Sequence, residues 1–478
     1  MTASRDGSGA PHPDAAGRPL PPGPLPTGAL LSRRGLLARA AGLLGAAVLA
    51  APACAPAPAA VPPAPTASPT PAATRDPTAP PRPTRLTVSP SARSAVRPTA
   101  APPPPSPSPS PTAPGRIVLA YYVPYDSTSW ASLEAHADQI DYVVTQTISV
   151  DLCAGLATQD DRTLLAFAQA RGVRVLPSLF TFSQAINHRL LTDPATTART
   201  VQTLVDYVAA EGYAGLDIDL EDIAPADRAA FTAFVGRLAD ALHARGKLLT
   251  MAVAPKARET TAGLAAAYDY AALGRHVDLM TVMTYDYSWA GGPPGAIAPY
   301  AWVDQVIGYA TGQVPPHKVL LGVGFYGYDW NVTSGGRARA LRYPQAAALA
   351  ARYGTHIGFD PALGAATFAY IGHAGDPPVP DPRPPFPAHD IRHRAPPACT
   401  VPTPTPAPAR GPSWTIAGQH VIWIEDARSF AGRLALADRH HTGGIGAWRL
   451  GQEDPAIWAA IAAWRRAPAV PTSAPRAG

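Results

Sequence analysis

Cysteine is scarce in this chain, which has three among its 478 residues, at positions 54, 153 and 399. No Cys-x-x-Cys pair, no cluster of cysteine with histidine and no His-Glu-x-x-His motif occurs. Because protein metal centres are commonly built from such groups, the sequence offers no metal site, and we expect neither a metal nor an organic cofactor. Cys153 and Cys399 could pair in an oxidising compartment or remain two free thiols, and the sequence leaves both alternatives open.

A basic excess is also lacking from the greater part of the chain. The formal net charge is +5, but residues 1–115 hold ten Arg and three Asp and so carry +7, which leaves −2 for residues 116–478. A nucleic-acid-binding domain normally presents a basic surface. We therefore expect no nucleic acid among the partners of this protein.

The chain lacks an uninterrupted apolar run of membrane-spanning length. The apolar stretch that follows Arg33 and Arg34 is interrupted by Arg39, and residues 40–53 are too few to cross a bilayer. Paired arginines before a moderately apolar stretch are similar to a bacterial twin-arginine export signal. We predict that residues 1–53 are such a signal and that the protein is exported to the cell envelope or the extracellular space.

The end of this leader leaves the mode of attachment open. Ala51-Pro52-Ala53 matches a small-x-small cleavage site, and Cys54 follows directly. Lipid on Cys54 would attach the protein to a membrane, but a lipoprotein signal usually has Leu where this chain has Ala51. A lipid-anchored and a freely secreted protein both remain alternatives.

Composition divides the rest of the chain into three parts. Residues 54–115 are dominated by Pro, Ala, Ser and Thr, which cannot bury enough apolar surface to offset the entropy lost on ordering. We predict a disordered stalk over residues 54–115, one folded domain over 116–466 and a disordered tail over 467–478. We expect the folded domain to act as a monomer.

The folded part alternates β-rich runs with helical stretches, which is typical of repeated βα units. The predicted strands are 117–123, 142–148, 173–179, 215–220, 248–253, 279–285, 319–325 and 444–448. Eight strands separated by helices predict an α/β fold, a closed (β/α)8 TIM barrel.

The spacing of the predicted strands fails once, between the seventh and the eighth. Residues 326–443 exceed what one helix requires, so we predict a small α+β insertion at about 326–425. Its Pro-rich excursion, residues 377–412, is expected to lack ordered structure. Because such insertions leave the carboxyl ends of barrel strands, we expect this one to form a wall of the active-site cleft.

Acidic and aliphatic residues alternate strictly in the fourth predicted strand. In an extended chain Asp217, Asp219 and Glu221 share one face, and the aliphatic residues between them share the other. Inside a barrel, burial and mutual repulsion would raise the pKa of such carboxyls, which suits a general acid. The simpler alternatives are a solvated acidic strand, which the alternating aliphatic residues disfavour, and a calcium loop, which would need the glycine spacing of an EF-hand.

This acidic run resembles the Asp-x-x-Asp-x-Asp-x-Glu signature of glycoside hydrolase family 18, the chitinase family. Residues 283–286, Met-Thr-Tyr-Asp, resemble the family's strand-six motif, and Trp448 matches the tryptophan at the floor of its −1 subsite. Residues 289–295, 324–330 and 424–429 are similar to the branch that contains spore-cortex-lytic N-acetylglucosaminidases and related bacterial cell-wall hydrolases. The resemblance covers nearly all of residues 116–466.

The resemblance implies a retaining glycosidase that acts on an N-acetylglucosamine-containing polysaccharide, of peptidoglycan or chitin type, with catalysis assisted by the substrate's acetamido group. It makes Glu221 the general acid/base, Asp219 the group that stabilises the acetamido nitrogen and Asp217 the residue that tunes Asp219. The implied substrate-binding residues are Tyr285, Asp286, Trp448 and, for stacking on a sugar ring, Trp289.

One position departs from the signature, because Ala214 stands where the family has its first Asp. The loss of that carboxyl could weaken the carboxylate network or shift its pKa values. The alternative function is therefore a cell-surface carbohydrate-binding protein that keeps the barrel and has lost catalysis.

Overall fold

The computed structural model describes residues 116–396, 399 and 414–468. Their strands are β1 (Ile117–Tyr122), β2 (Tyr142–Val150), β3 (Leu156–Asp161), β4 (Arg174–Thr181), β5 (Gly215–Leu220), β6 (Leu248–Val253), β7 (Leu279–Val282), β8 (Val319–Gly324), β9 (Tyr326–Asn331), β10 (Arg339–Arg342), β11 (Gly358–Asp360), β12 (Ala365–Gly372), β13 (Ile391–Arg394), β14 (Gly418–Ile424) and β15 (Gly444–Trp448). Their α-helices are α1 (Ser127–His136), α2 (Arg162–Ala170), α3 (Gln184–Thr192), α4 (Pro194–Glu211), α5 (Arg228–His243), α6 (Tyr270–Gly274), α7 (Tyr300–Gln313), α8 (Tyr343–Arg352), α9 (Ala427–Arg439) and α10 (Ala456–Arg466).

Eight of these strands close into the predicted (β/α)8 barrel. Strands β2, β4, β5, β6, β7, β8 and β15 pair in parallel in that order, and β1 pairs with both β2 and β15. Helices follow the strands and lie on the outside, as right-handed parallel crossovers require. The fold class predicted from the sequence is confirmed.

Alternation along the strands divides the barrel into an inner and an outer core. The buried residues of the inner cluster are Leu119, Tyr121, Tyr142, Val144, Leu176, Leu279 and Leu320. Residues next to them along the strands, such as Val118 and Val143, face outward and pack in the larger cluster with the helices. Because parallel strands are covered on both faces, a polar side chain inside the barrel is buried and needs a hydrogen-bond partner there.

The strand that precedes Tyr285 ends earlier than predicted, at Val282 instead of residue 285. The amide of Thr284 donates to the carbonyl of Val282, and the amide of Tyr285 to that of Met283, each at 2.8 Å. Asp286 then has a left-handed backbone, with φ of +58°. These tight turns withdraw the amide groups from the sheet and direct the chain across the mouth of the barrel.

The insertion between β8 and β15 forms a small domain with its own sheet. Its five strands are antiparallel in the order β10-β9-β14-β12-β11, and α8 packs against them. A buried hydrogen-bonded group crosses its core, because His420 Nδ1 lies 2.7 Å from Asp329 Oδ1 and the hydroxyl of Tyr370 donates to Asp329 Oδ2 at 2.8 Å. Strand β9 starts two residues after β8, so the small domain rises directly from the barrel mouth.

The expectation that residues 377–412 lack ordered structure is wrong for their first part. We call residues 377–396 the strap. It leaves the small domain and returns to the barrel, where β13 adds to the edge of β3 in antiparallel register, with Ile391 opposite Asp161. Proline cannot donate a backbone hydrogen bond and therefore interrupts strand pairing. Strand β13 contains no proline, so it can pair with the edge strand β3.

Two further contacts hold the end of the strap. His389 Nδ1 lies 2.6 Å from Asp161 Oδ2, and both side chains are buried. Cys399 is joined to Cys153, which follows β2, in a disulfide. The structure thus favours the paired alternative for these two cysteines.

Several predictions fall outside the residues that the structure describes. They are the export signal, Cys54 and the stalk, the remaining part of the Pro-rich excursion and residues 469–478 of the tail. Within the described ranges, every helix is too short or too polar to cross a bilayer.

Candidate active site

The alternating acids of β5 point into the barrel, as the strand pattern predicts. Asp217 is completely buried and Asp219 nearly so, while Glu221, one residue beyond the strand, is only half-buried at the mouth. The intervening Leu216 and Ile218 pack outward among the helices. The row of carboxyls therefore runs from the closed interior of the barrel to its open end.

Asp217 is held by the two neighbouring strands at its own level in the sheet. Ser178 on β4 and Thr250 on β6 are its register partners, and their hydroxyls donate to Asp217 at 2.9 and 2.6 Å. Burial nevertheless raises the pKa of Asp217 to about 6, since two hydroxyls replace less solvation than water gives a carboxylate. Asp217 thus gains and loses its proton at mildly acidic pH rather than in the usual range of an aspartate.

Asp219 lies between the other two acids and is the most strongly perturbed of the three. Burial, followed by the charges of Glu221 and Asp217, raises the pKa of Asp219 well above its usual range. Gln146 Nε2 lies 3.4 Å from Asp219 Oδ2, whereas Oδ1 is buried without a hydrogen bond from any side chain that the structure describes. A buried carboxylate oxygen without a donor is costly in a protein alone and suits a site whose substrate brings an N–H.

The backbone of Glu221 is fixed by three different segments of the barrel. Its amide donates to the carbonyl of Thr181 at 2.9 Å, and its carbonyl accepts from Asn187 Nδ2 at 2.5 Å. The hydroxyl of Tyr268 donates to the preceding carbonyl, that of Leu220, at 2.8 Å. The position of the Glu221 backbone is therefore determined before any substrate binds.

Tyr285 and Asp286 follow the end of β7, which is separated from β5 by one strand, β6, in the barrel. Burial and the negative charges of Asp219 and Glu221 raise the pKa of the Tyr285 phenol well above its usual value, so the hydroxyl remains a donor. Asp286 accepts hydrogen bonds from Tyr326 and, at 2.9 Å, from Tyr328. Both tyrosines belong to β9, so the small domain contributes to this wall of the site.

Trp448 ends β15 and lies beside the carboxylate row. Its ring centroid is 5.5 Å from that of Tyr121, which is buried under it in the inner core. Burial, together with Asp217 and Asp219, raises the pKa of Tyr121, which places its phenol next to these acids. An indole on a buried aromatic support at the mouth can present an apolar face to a sugar ring.

Comparison with known proteins identifies the family of this barrel. Residues 117–453 match the family described as "Glycosyl hydrolases family 18". The chain belongs to this family. The predicted resemblance, which rested on the acidic run, on residues 283–286 and on Trp448, is therefore correct.

The relatives and the solved structures agree with this membership. The chain is 30% identical to the cortical fragment-lytic enzyme of Bacillus subtilis over 281 residues, which are 58% of this chain and 56% of that protein. A chitinase from Chromobacterium violaceum is 26% identical, with a TM-score of 0.61 over 74% of this chain and 100% of that one. The spore cortex-lytic enzyme SleL from Bacillus cereus shares the fold, with a TM-score of 0.59 at 24% identity over 73% of this chain and 74% of that one.

The similarity to the curated relatives covers only part of those proteins. The chain spans about half the length of the curated relatives it matches, for instance 54% and 56% of two from Bacillus subtilis. What those proteins do as a whole is therefore not transferred with the family membership.

The position that departs from the family 18 signature lies far from the acids at the mouth. Ala214 precedes β5, where its amide donates to the carbonyl of Val175 and its carbonyl accepts from Leu248. It is seven residues from Glu221 along an extended segment, which corresponds to about 23 Å. The partners of Asp217 come from β4 and β6, so alanine at position 214 leaves this carboxyl supported.

Trp289 is held by its own loop at the mouth of this family 18 barrel. A Cβ at position 291 would lie 2.2 Å from Cζ3 of Trp289, so only glycine lets the indole pack there. The guanidinium of Arg337 lies 5.8 Å from the centre of the indole. The structure thus fixes Trp289 near the mouth, and its stacking on a sugar stays a prediction.

Two residues that touch the predicted acids were missing from the sequence-based set of site residues. Gln146, which approaches Asp219, ends up in the site because β2 neighbours β4 and β1 in the barrel. Asn187 reaches the Glu221 carbonyl from α3, a helix that carries no recognisable motif. A polar residue at the end of a predicted strand was a signal for Gln146, while nothing in the sequence singled out Asn187.

One group of side chains within the described ranges has the geometry of metal ligands, namely Asp151, Cys153 and Cys399. Its two sulfur atoms are joined to each other in the disulfide. Because thiolates bind metals and disulfide sulfurs are poor ligands, this group does not fit a metal centre in the oxidised protein.

Proposed function

We propose that this protein is an exported, retaining glycoside hydrolase that cleaves β-linked N-acetylglucosamine polymers of the cell wall with the help of the substrate's acetamido group. The observation that carries the proposal is the inward row of Asp217, Asp219 and Glu221, with Tyr285 two strands away and Trp448 on the opposite strand β15. The cortical fragment-lytic relatives favour peptidoglycan over chitin as the polymer.

In the proposed reaction Glu221 gives its proton to the glycosidic oxygen as the bond from that oxygen to C1 breaks. The acetamido oxygen of the same sugar forms the new bond to C1, and the positive charge moves to the acetamido nitrogen. Asp219, with its free Oδ1, accepts the N–H of that group, and Tyr285 donates to the acetamido oxygen. Water then attacks C1 with Glu221 as the base, which restores the acetamido group and retains the configuration.

Burial gives Asp217 a role in this cycle. A proton held by Asp217 leaves the charge on Asp219, and a proton held by Asp219 leaves it on Asp217, so the two carboxyls titrate as a pair. When the acetamido nitrogen becomes positive, the negative charge is drawn towards Asp219. The raised pKa values thus allow the pair to share one proton and to keep one negative charge, which can lie on Asp219 beside the acetamido nitrogen.

Export is supported by two independent features. The paired arginines Arg33 and Arg34 precede an apolar stretch in the leader. The disulfide between Cys153 and Cys399 would form and persist in an oxidising compartment outside the cytoplasm. Membrane attachment through Cys54 remains a part of the proposal that mass spectrometry of the exported protein can test.

The test of the proposed activity is hydrolysis of purified peptidoglycan and of chitin oligosaccharides, with products identified by mass. Glu221→Gln should lower kcat about 10²–10⁴-fold while sugar binding persists, because only the proton transfer is removed. Asp219→Asn should also lower kcat, and more on N-acetylated than on de-acetylated oligosaccharides. The matched control is Asp240→Asn, which changes an exposed acid on α5 in the same way and should leave turnover intact.

The outcomes separate the enzyme from the carbohydrate-binding alternative. Products ending in reducing N-acetylglucosamine that are absent with Glu221→Gln would establish the enzyme. Sugar binding without products in both proteins would show instead that the barrel has lost catalysis, the alternative that Ala214 suggested. Equal turnover by the wild type and Glu221→Gln would refute the assignment of the acid.

A further inference from the structure

Five charged side chains from separate parts of the chain meet on one side of the barrel mouth. One follows Trp448 directly, one lies in the loop after β1, one ends β10 in the small domain and two lie on the strap. They are Asp126, Arg342, Asp381, Arg383 and Arg449, and we call them the arginine cluster. The cluster therefore borders the position at which a sugar would rest on Trp448.

Asp126 is the buried centre of the arginine cluster. It is 1% exposed and caps α1 by accepting from the amide and the hydroxyl of Thr128, at 3.1 and 2.7 Å. Arg449 Nη2 donates to Asp126 Oδ2 at 2.8 Å, and Arg383 Nη1 lies 3.5 Å from Asp126 Oδ1. The shorter contact is a hydrogen bond and the longer one is only an ion pair, so Arg383 is held less tightly than Arg449.

The second aspartate neutralises only part of the remaining positive charge. Asp381 pairs with the buried Arg342 and accepts from Arg383 Nε at 2.9 Å. Three guanidinium groups thus face two carboxylates, although residues 116–478 as a whole carry −2. Burial, and to a smaller extent the like charges of Arg383 and Arg449, lowers the pKa of Arg342 despite the opposing charge of Asp126.

The exposed part of the arginine cluster is accessible to a polymer that lies across the mouth. The side chain of Arg383 is 46% exposed, and the ring of Tyr125, 70% exposed, lies 5.7 Å from the guanidinium carbon of Arg449. Arg383 is also pre-positioned, because the strap that carries it is fixed beyond that point by β13, by His389 and by the disulfide. A planar guanidinium that is held in place is well suited to bind a carboxylate, and Tyr125 lies beside the neighbouring guanidinium of Arg449.

From this geometry we propose that Arg383, supported by Arg449 and Tyr125, binds a carboxylate carried by the glycan next to the sugar on Trp448. The proposal rests on the proposed function and names its substrate class: amino-sugar polymers that bear carboxylates. Peptidoglycan carries them on its peptide stems, and on the lactyl ether where a stem has been removed, whereas chitin has none. The arginine cluster would then make the enzyme prefer peptidoglycan.

The test compares kcat/KM of the full chain on four substrates. They are chitin oligosaccharides, peptidoglycan with its stem peptides, glycan strands stripped of peptide and the same stripped strands with their carboxylates converted to amides. The variants are Arg383→Gln and the control Arg392→Gln, which removes another exposed arginine from the same strap, with 64% of its side chain exposed against 46% for Arg383. Thermal unfolding of each variant verifies that the fold is retained.

We expect Arg383→Gln to lower the ratio of kcat/KM on carboxylate-bearing substrates to kcat/KM on chitin oligosaccharides about five-fold, the effect of one exposed charge-assisted contact. The loss should lie in KM, diminish with salt and vanish on the amidated strands. Arg392→Gln should leave the ratio unchanged. A loss on stripped strands identifies the lactyl carboxylate as the ligand, and a loss confined to peptide-bearing strands identifies the stem.

Two results would overturn the proposal. One is an equal loss on all four substrates, which would show that Arg383 only supports the fold. The other is a kcat/KM that Arg383→Gln leaves unchanged on every substrate. Absence of hydrolysis by the wild type on every substrate would contradict the proposed function itself, so the two failures are distinguishable.

Discussion

Replacing Asp217 with Asn should stabilise the protein at neutral pH but not at acid pH. Asp217 is completely buried, and burial raises its pKa from 3.8 to about 6 against the hydrogen bonds of Thr250 and Ser178. Since the pKa is higher in the folded than in the unfolded chain, the folded protein binds this proton more tightly. The free energy of unfolding therefore falls as the pH rises from about 4 to about 6 and stays lower above that range.

The magnitude follows from the difference in pKa. About two pKa units at 1.36 kcal/mol each correspond to about 3 kcal/mol. Between pH 4.0 and 7.5 about 2 kcal/mol of this is expressed, because the unfolded carboxyl is already partly ionised at pH 4.0. Asparagine has nearly the same shape, does not titrate, and can accept from one neighbouring hydroxyl while it donates to the other. The variant should thus gain about 2 kcal/mol on the wild type between these two pH values.

Urea unfolding of the wild type and Asp217→Asn at pH 4.0 and 7.5, with the disulfide intact, measures this difference. Packing changes contribute equally at both pH values and cancel, and Asp240→Asn on the exposed face of α5 serves as the control. At the same time kcat should fall, since Asp219 loses the neighbour with which it shares a proton. If the stability difference between variant and wild type changes by less than about 0.5 kcal/mol between the two pH values, the burial argument for Asp217 is wrong.

Two further predictions concern contacts made by distant parts of the chain. Asn187→Ala should lower kcat about ten-fold with little change in KM, because the carbonyl of Glu221 loses its donor and the acid is no longer held in position. The control is Asn331→Ala, which removes an amide bonded to carbonyls in the small domain and should lower stability alone. Equal losses of kcat in the two variants would contradict the positioning role of Asn187. Replacing Cys153 and Cys399 together by Ser should lower the free energy of unfolding by about 2–4 kcal/mol, because the bond closes a loop across a sequence separation of 246 residues. Reductant should destabilise the wild type to the same extent and leave the double variant unchanged in urea unfolding, and an equal response of both would show that the bond does not contribute.

The barrel could be predicted because its evidence is local. Each strand is a short apolar run between turn residues, and the interval to the next such run fits one helix. The inward direction of the acids of β5 was equally predictable, since alternation in an extended strand determines which side chains share a face. The residue at which β7 ends could not be predicted, because the turns at Thr284 and Tyr285 depend on backbone hydrogen bonds that no residue type requires.

The strap shows the opposite case. Its prolines indicated a segment without ordered structure, and that reasoning holds for a chain considered by itself. The four residues of β13 are ordered because β3 presents an unpaired edge and because His389 and Cys399 find partners about 230 and 246 residues away. Such partners contribute nothing to a local pattern.

The sequence alone thus determined the barrel class, the row of carboxyls and the residue types that face each other across the site, since these follow from periodicity and from motifs a few residues long. Only the tertiary structure decided which groups support that row. Burial, and not any motif, gives Asp217 its pKa of about 6. The contacts of Gln146 and Asn187, the ring support under Trp448 and the arginine cluster arise where strands and loops far apart in the chain are brought together by closure of the barrel. Long-range contacts of this kind depend on how the elements pack, and packing is a property of the whole domain.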